Sequence, residues 1–200
     1  DINGDTLRRQ QQAYGVRGYG DYREMIEKEH LDGVAVATPD PFHKDPVLCA
    51  ADHGVHVFVE KPMDVTVDGC RDMIDACRKK NVLLQVDFHK RFDPYHREIE
   101  KDVAAGKFGR VEYGYVHMED KIVVPVQWFP GWASKSSPVW FLGIHFFDLI
   151  RWIMKSNGKR VFATGRKWKL PSVGVDTWDS VNALVEFENG ATVTFDLSWI

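Results

Sequence analysis

The sequence predicts an α/β fold, a parallel sheet followed by an α+β region with an open, mostly antiparallel sheet. Three observations carry this reading. Residues 33–88 alternate short β-branched runs with segments of helix length, and strands joined by such helices run parallel through right-handed crossovers. After Phe88 the texture changes, and all seven tryptophans lie between Trp128 and Trp199. Near the end, two alternating runs flank Glu188-Asn189-Gly190, whose Asn-Gly pair is a strong hairpin signal.

The elements follow in order. Leu7, Gln10, Gln11 and Tyr14 share a helical face that Gly15 ends. Asp21 caps a helix from Tyr22 to Glu29, and Gly33 to Thr38 is a strand stopped by Pro39. A helix is expected from His43 to His53, with Val47, Ala50 and Ala51 inward and Gly54 as its stop. Val55 to Val59 is a buried strand, and Thr66 caps the next helix, whose face is Cys70, Met73, Ile74 and Cys77. Val82 to Phe88 is a strand, Pro94 to about Ala105 a helix, and Arg110 to Glu119 a strand. Residues 121–139, with Pro125, Pro130 and Pro138, read as irregular before a helix from Ile144 to Lys155. Three strands close the chain: Arg160 to Leu170, Asp179 to Phe187 and Ala191 to Ile200.

Composition excludes some functions. The 200 residues suffice for one large or two small domains, and 44% apolar content supports a packed core. A net charge of −3 argues against a nucleic-acid or polybasic membrane role. No apolar run is long enough for a membrane span. Cys49, Cys70 and Cys77 are too few for a disulfide framework, which suits a cytoplasmic protein. His53 and His56 flank a helix-to-strand turn with no acid or cysteine to complete a metal site, so no metal is expected. The chain starts at Asp1 without methionine and stops at Ile200 inside what reads as a strand, so a longer parent protein is expected.

Two strand ends carry unusual residues. Thr38-Pro39-Asp40-Pro41-Phe42-His43 follows one strand and Glu60-Lys61-Pro62 the next. Ligands of open α/β sheets bind at the carboxyl ends of strands, where these residues fall. A lysine there can hold a substrate hydroxyl and move its proton; the alternative is a surface lysine at a strand end. Lys61–Pro62 is a candidate cis bond, with an ordinary trans proline as the alternative. Lys90 and Arg91 read as a solvated basic pair, with contact to an acidic substrate as the alternative.

Thr38-Pro39 with His43, Glu60-Lys61-Pro62, Asp87-Phe88-His89-Lys90-Arg91-Phe92-Asp93-Pro94, Gly143-Ile144-His145-Phe146-Phe147-Asp148 with Trp152, and Phe187-Glu188-Asn189-Gly190 occur in that order. In this the chain resembles the Gfo/Idh/MocA oxidoreductases. The resemblance implies a Rossmann-type dinucleotide-binding domain over residues 1–88, without its first strand and Gly-rich loop. Residues 89–200 would then form a substrate and oligomerisation domain, incomplete at its end. It implies NAD, with NADP possible, and a sugar, cyclitol or related polyol as substrate. A homodimer or homotetramer would form through the second sheet. Lys61 and His145 correspond to catalytic positions. Asp1, Thr38, Pro39, His43, Glu60, Lys61, Pro62 and His89 would line the cofactor, Asp1 as the acid that binds ribose hydroxyls.

Substrate contacts are expected from Lys61, His145, Asp148 and Trp140, the last as a face on which a sugar ring stacks. Packing is the alternative for Trp140, and a salt bridge with Arg151 or another basic residue for Asp148. Related enzymes often carry an acid where Phe141 stands, which puts an Asp–His relay in question. The Gly-x-Gly-x-x-Gly loop is missing and is expected upstream of Asp1, so these residues alone are expected to fold poorly and bind NAD weakly. Two rival readings are an NAD-using glycosidase of the same family and a non-catalytic dinucleotide- or sugar-binding regulator.

Overall fold

The computed structural model describes all 200 residues. They divide into two compact units, Asp1–Val86 and Asp87–Ile200, each with its own hydrophobic core.

In the first unit, helices α1 (Gly4–Tyr14) and α2 (Tyr22–Lys28) precede β1 (Gly33–Val36). Asn3 caps α1 by accepting from the Asp5 and Thr6 amides, and Gly15 ends it at φ 64°. Asp21 caps α2 through the Arg23 amide. Helix α3 (Lys44–Asp52), strand β2 (His56–Val59), helix α4 (Val67–Lys79) and strand β3 (Leu84–Val86) complete the unit. Thr66 caps α4 by accepting from Gly69 N–H.

The strands form a parallel sheet in the order β1-β2-β3, with Val36 beside Val59 and Val59 beside Val86. The core unites Val36, Val57 and Val59 with Val47, Ala50 and Ala51 of α3, Met73 and Cys77 of α4, and Ile26 of α2. The sequence reads β2 as buried throughout, but His56 and Phe58 are exposed. The core helices pack on the Val57–Val59 face alone, and the other face holds a hollow of about 320 Å³ lined by Gly33, Ala35, His56, Phe58 and Leu83.

The second unit opens with a 3₁₀ turn at His89–Phe92 and α5 (Pro94–Ala104), capped by Asp93. Strand β4 (Tyr113–Glu119) leads into short turns, one of them a π-type turn at Val124–Trp128. A second π-type turn, Val139–Gly143, runs into α6 (Ile144–Met154). Then come β5 (Gly158–Arg166), the one-turn helix α7 (Lys169–Ser172), β6 (Ser180–Phe187) and β7 (Thr192–Ser198). The reading of a strand through Leu170 is corrected here, because Trp168, Lys169 and Leu170 turn their amides onto the Asp179 carboxylate instead of a strand neighbour.

Sheet order is β4-β7-β6-β5. β5-β6 and β6-β7 are antiparallel, whereas β4 joins β7 in parallel, so the sheet is mixed. Asn189-Gly190 makes the β6-β7 turn, with Gly190 at φ 87° and Gly190 N–H donating to the Phe187 carbonyl. One face buries Val116, Ala183, Phe187, Val193, Phe195 and Leu197 against Leu142. The other carries Tyr115, Thr194, Leu184 and Phe162 in one row across all four strands.

Candidate active site

The carboxyl ends of β1 and β2 place the first set of residues. Thr38 and Pro39 are exposed just past β1, and the Thr38 hydroxyl donates to the Phe42 carbonyl at 3.0 Å. Past β2, Glu60 and Lys61 are half-buried and Pro62 is buried. The Glu60 amide continues the β1-β2 ladder by donating to the Val36 carbonyl at 2.9 Å, which pins this corner to the sheet. The Glu60 carboxylate accepts from the Lys61 amide at 3.1 Å, and the Lys61–Pro62 bond is cis.

His43 lies beneath this surface rather than on it. It is 1% exposed, and its ring nitrogens stand 2.7 Å from the carbonyl oxygens of Pro62 and Thr38. Its ring therefore joins two loops internally, in contrast to the expected lining role. Asp1 is exposed ahead of α1; its carboxylate accepts from the Asn3 amide at 2.8 Å and its amino group donates to the Tyr19 carbonyl at 2.9 Å.

The second unit gathers another set. His145 and Asp148 lie three residues apart on one face of α6, each 9% exposed. The 3₁₀ turn at His89–Phe92 packs against them. The His89 and His145 rings meet edge to face, with centroids 5.0 Å apart and planes at 70°. Two residues on, the Arg91 guanidinium takes the Asp148 carboxylate in a bidentate pair, with Nε donating to Oδ2 at 2.7 Å and Nη2 to Oδ1. Arg91 is thus no solvated partner of Lys90, whose ammonium lies 5.0 Å from the Phe146 ring centre. Arg151, the first salt-bridge partner considered for Asp148, donates to Asn157 instead. A pairing 57 residues apart left no local signal in the sequence.

Phe141 has a packing role. Its ring lies 5.5 Å from Phe129, 6.0 Å from Trp132 and 5.7 Å from Trp199, centre to centre. This position belongs to an aromatic cluster of the core. Trp140, one residue earlier, lines a separate hollow of about 260 Å³ with Ser137, Thr177, Trp178 and the Lys167–Asp176 ion pair.

The donor set past β1 and β2 suits the nicotinamide-ribose half of a dinucleotide. It offers an exposed hydroxyl, a half-buried carboxylate and a lysine at the strand ends, where such ligands enter parallel sheets. No Gly-x-Gly-x-x-Gly sequence is present to cradle the pyrophosphate.

Comparison with known proteins identifies the family. Residues 1–88 match the family model described as "Oxidoreductase family, NAD-binding Rossmann fold", and residues 96–200 match the GFO/IDH/MocA C-terminal domain. The chain is 29% identical over 201 residues to the myo-inositol 2-dehydrogenase of Thermotoga maritima, covering 99% of this chain and 59% of that protein. It is 27% identical over 171 residues to the scyllo-inositol 2-dehydrogenase (NAD(+)) of Bacillus subtilis, covering 84% of this chain and 48% of that protein. The fold matches that of scyllo-inositol dehydrogenase from Lactobacillus casei, solved with NAD(H) and scyllo-inositol, with a TM-score of 0.85 at 22% identity, covering 100% of this chain and 60% of that one. The chain therefore spans about half to three-fifths of the length of these relatives. It belongs to the Gfo/Idh/MocA oxidoreductase family.

Proposed function

We propose that this chain is the core of an NAD-dependent dehydrogenase acting on a hydroxyl of a sugar, cyclitol or related polyol. The observation that carries the reading is Lys61, held at the carboxyl end of a parallel strand by Glu60, in a unit that matches an NAD-binding family. Related inositol dehydrogenases support the substrate class.

When bound, the nicotinamide would supply hydride acceptance, chemistry that is the cofactor's own. Residues 1–88 would bind it: Thr38, Pro39, Glu60 and Pro62 would border the nicotinamide-ribose half, with His89 on the following segment. Asp1 would bind the ribose hydroxyls and favour NAD over NADP, since a carboxylate repels a 2′-phosphate. The Lys61 amine would hydrogen-bond the reacting hydroxyl and take its proton, a contribution of roughly 10²–10⁴-fold for general acid–base catalysis.

Residues 89–200 would supply the substrate and oligomer functions. His145 would orient the hydroxyl, and its ring contact with His89 fixes its tilt. Asp148, engaged by Arg91, would act by holding the His89 turn against α6 more than by meeting substrate directly. Trp140 and Trp178 offer faces for a sugar ring in the hollow they share. Tyr115, Leu184 and Phe162, exposed in the row that half-buried Thr194 completes, would bury in a homodimer or homotetramer. Three free thiols fit a reducing compartment such as the cytoplasm, and no helix is long and apolar enough to cross a membrane.

A panel of polyols and sugars with NAD and NADP, followed at the absorbance of the reduced nicotinamide, tests the reading. The expected result is turnover with NAD that falls by roughly 10²-fold or more in Lys61→Ala. Cofactor binding without turnover on any polyol would favour the regulator, a reading to which the packed Phe141 lends support.

A further inference from the structure

The two contacts of His43 ask more of its ring than an uncharged imidazole can give. A carbonyl oxygen only accepts hydrogen bonds, so each needs an N–H from the ring, and an uncharged imidazole has one. Here both nitrogens lie 2.7 Å from carbonyl oxygens, those of Pro62 and Thr38. The ring is 1% exposed and Pro62 is also fully buried, so solvent cannot take over the Pro62 contact.

The carbonyls belong to different loops. Thr38 follows β1, and Pro62 follows β2, one residue after Lys61. On the other side of Lys61, its own amide is tied to the Glu60 carboxylate at 3.1 Å. The main chain that presents Lys61 is thus fixed from both directions. A buried ring whose two polar atoms are spent on main-chain oxygens is not offered to a ligand.

We propose that His43 is a positioning residue, a strap that donates through both ring nitrogens and so fixes the peptide that presents Lys61. Its consequence for turnover rests on the dehydrogenase reading; the strap itself does not.

Chemical rescue of His43→Gly, read by hydrogen exchange, tests the strap. Amides of residues 38–44 and 60–66 are expected to exchange roughly tenfold faster than in the native protein, while those of α1 and α5 keep their rates. Added imidazole, whose protonated form donates from both nitrogens, restores slow exchange, and 1-methylimidazole, which has at most one N–H even when protonated, does not. Equal rescue by both compounds, unchanged exchange, or acceleration spread evenly over Asp1–Val86 would overturn the proposal. If the glycine variant does not fold, His43→Gln, which keeps one donating group, replaces it: one of the two segments should lose protection, and protection of both would count against the strap. In active protein, kcat of His43→Gly should fall more than KM for NAD rises, with imidazole restoring it. A native protein without turnover would sink the dehydrogenase reading and leave the exchange result to judge the strap.

Discussion

Arg91 and Asp148 form a two-bond ion pair across 57 residues of chain, fastening the His89–Phe92 turn to helix α6. The carboxylate is 8% exposed and the guanidinium 33%, so the pair is buried on one side only. This asymmetry fixes the outcome of breaking it. Arg91→Met leaves a buried, uncompensated carboxylate and should cost about 3 kcal/mol. Asp148→Asn leaves a guanidinium that water still reaches and should cost about half as much. Urea denaturation of both variants checks the order. Equal losses would mean that Asp148 is better solvated than its exposure says.

Phe141 stands in an aromatic cluster, which makes an acid at this position costly. Phe141→Asp would put a carboxylate among Phe129, Trp132 and Trp199 and should lose about 3–5 kcal/mol. Phe141→Leu keeps the site apolar and should lose roughly 1–2 kcal/mol. The aspartate variant is expected to gain no turnover, because the new carboxylate replaces core packing. Thermal melts with parallel polyol assays check this; faster turnover in the variant would show that position 141 does reach the chemistry.

The three cysteines should be slow thiols. Burial pushes the Cys49, Cys70 and Cys77 thiols up, and Cys77 is 2% exposed. The thiolate is the reactive form, so less of it is present at neutral pH than in a free cysteine. Timed alkylation with iodoacetamide, read by mass spectrometry, should modify Cys49 and Cys70 slowly and Cys77 only on unfolding. Rapid labelling of Cys77 in native protein would contradict its packing against α3.

What the sequence made legible was mostly local. Asp21 and Thr66 cap helices where the sequence places caps, because a cap is a contact over two or three residues. The Glu60-Lys61-Pro62 corner was visible because a β-branched run ends there. Register was harder: the joining helices made the first sheet parallel, but in the second unit an alternating strand looks the same whether its neighbour is parallel or antiparallel, so only the Asn189-Gly190 turn fixed a pairing there in advance. The parallel β4-β7 pair had no such signal. Within the candidate site, Arg91 looked solvated because its partner lies 57 residues on, and His43 looked like a ligand contact because its partners are main-chain oxygens. A residue's type can be read from sequence, but the group that satisfies it over a long loop cannot.

Asp179 shows how much one such contact can hold. The carboxylate is 1% exposed and accepts from the amides of Trp168, Lys169 and Leu170 at 2.6, 2.7 and 2.7 Å. Its own amide donates to Arg166, and its carbonyl accepts from Trp199, so β5, α7 and the end of β7 meet on this residue. Burial pushes its pKa up, but the three amide hydrogen bonds outweigh burial and hold it below the ordinary aspartate value. The unfolded chain therefore binds the proton more readily than the folded one. The stabilisation is fully present above the unfolded value of about 4 and is lost as pH falls through the lower folded value. Asp179→Asn should cost roughly 1–3 kcal/mol at pH 7, since the carboxamide cannot accept all three amides. The gap between native and variant should narrow steadily below about pH 4. Urea melts of both proteins at several pH values check the sign. A gap that stays constant into acid would show that shape, and not charge, is what Asp179 contributes.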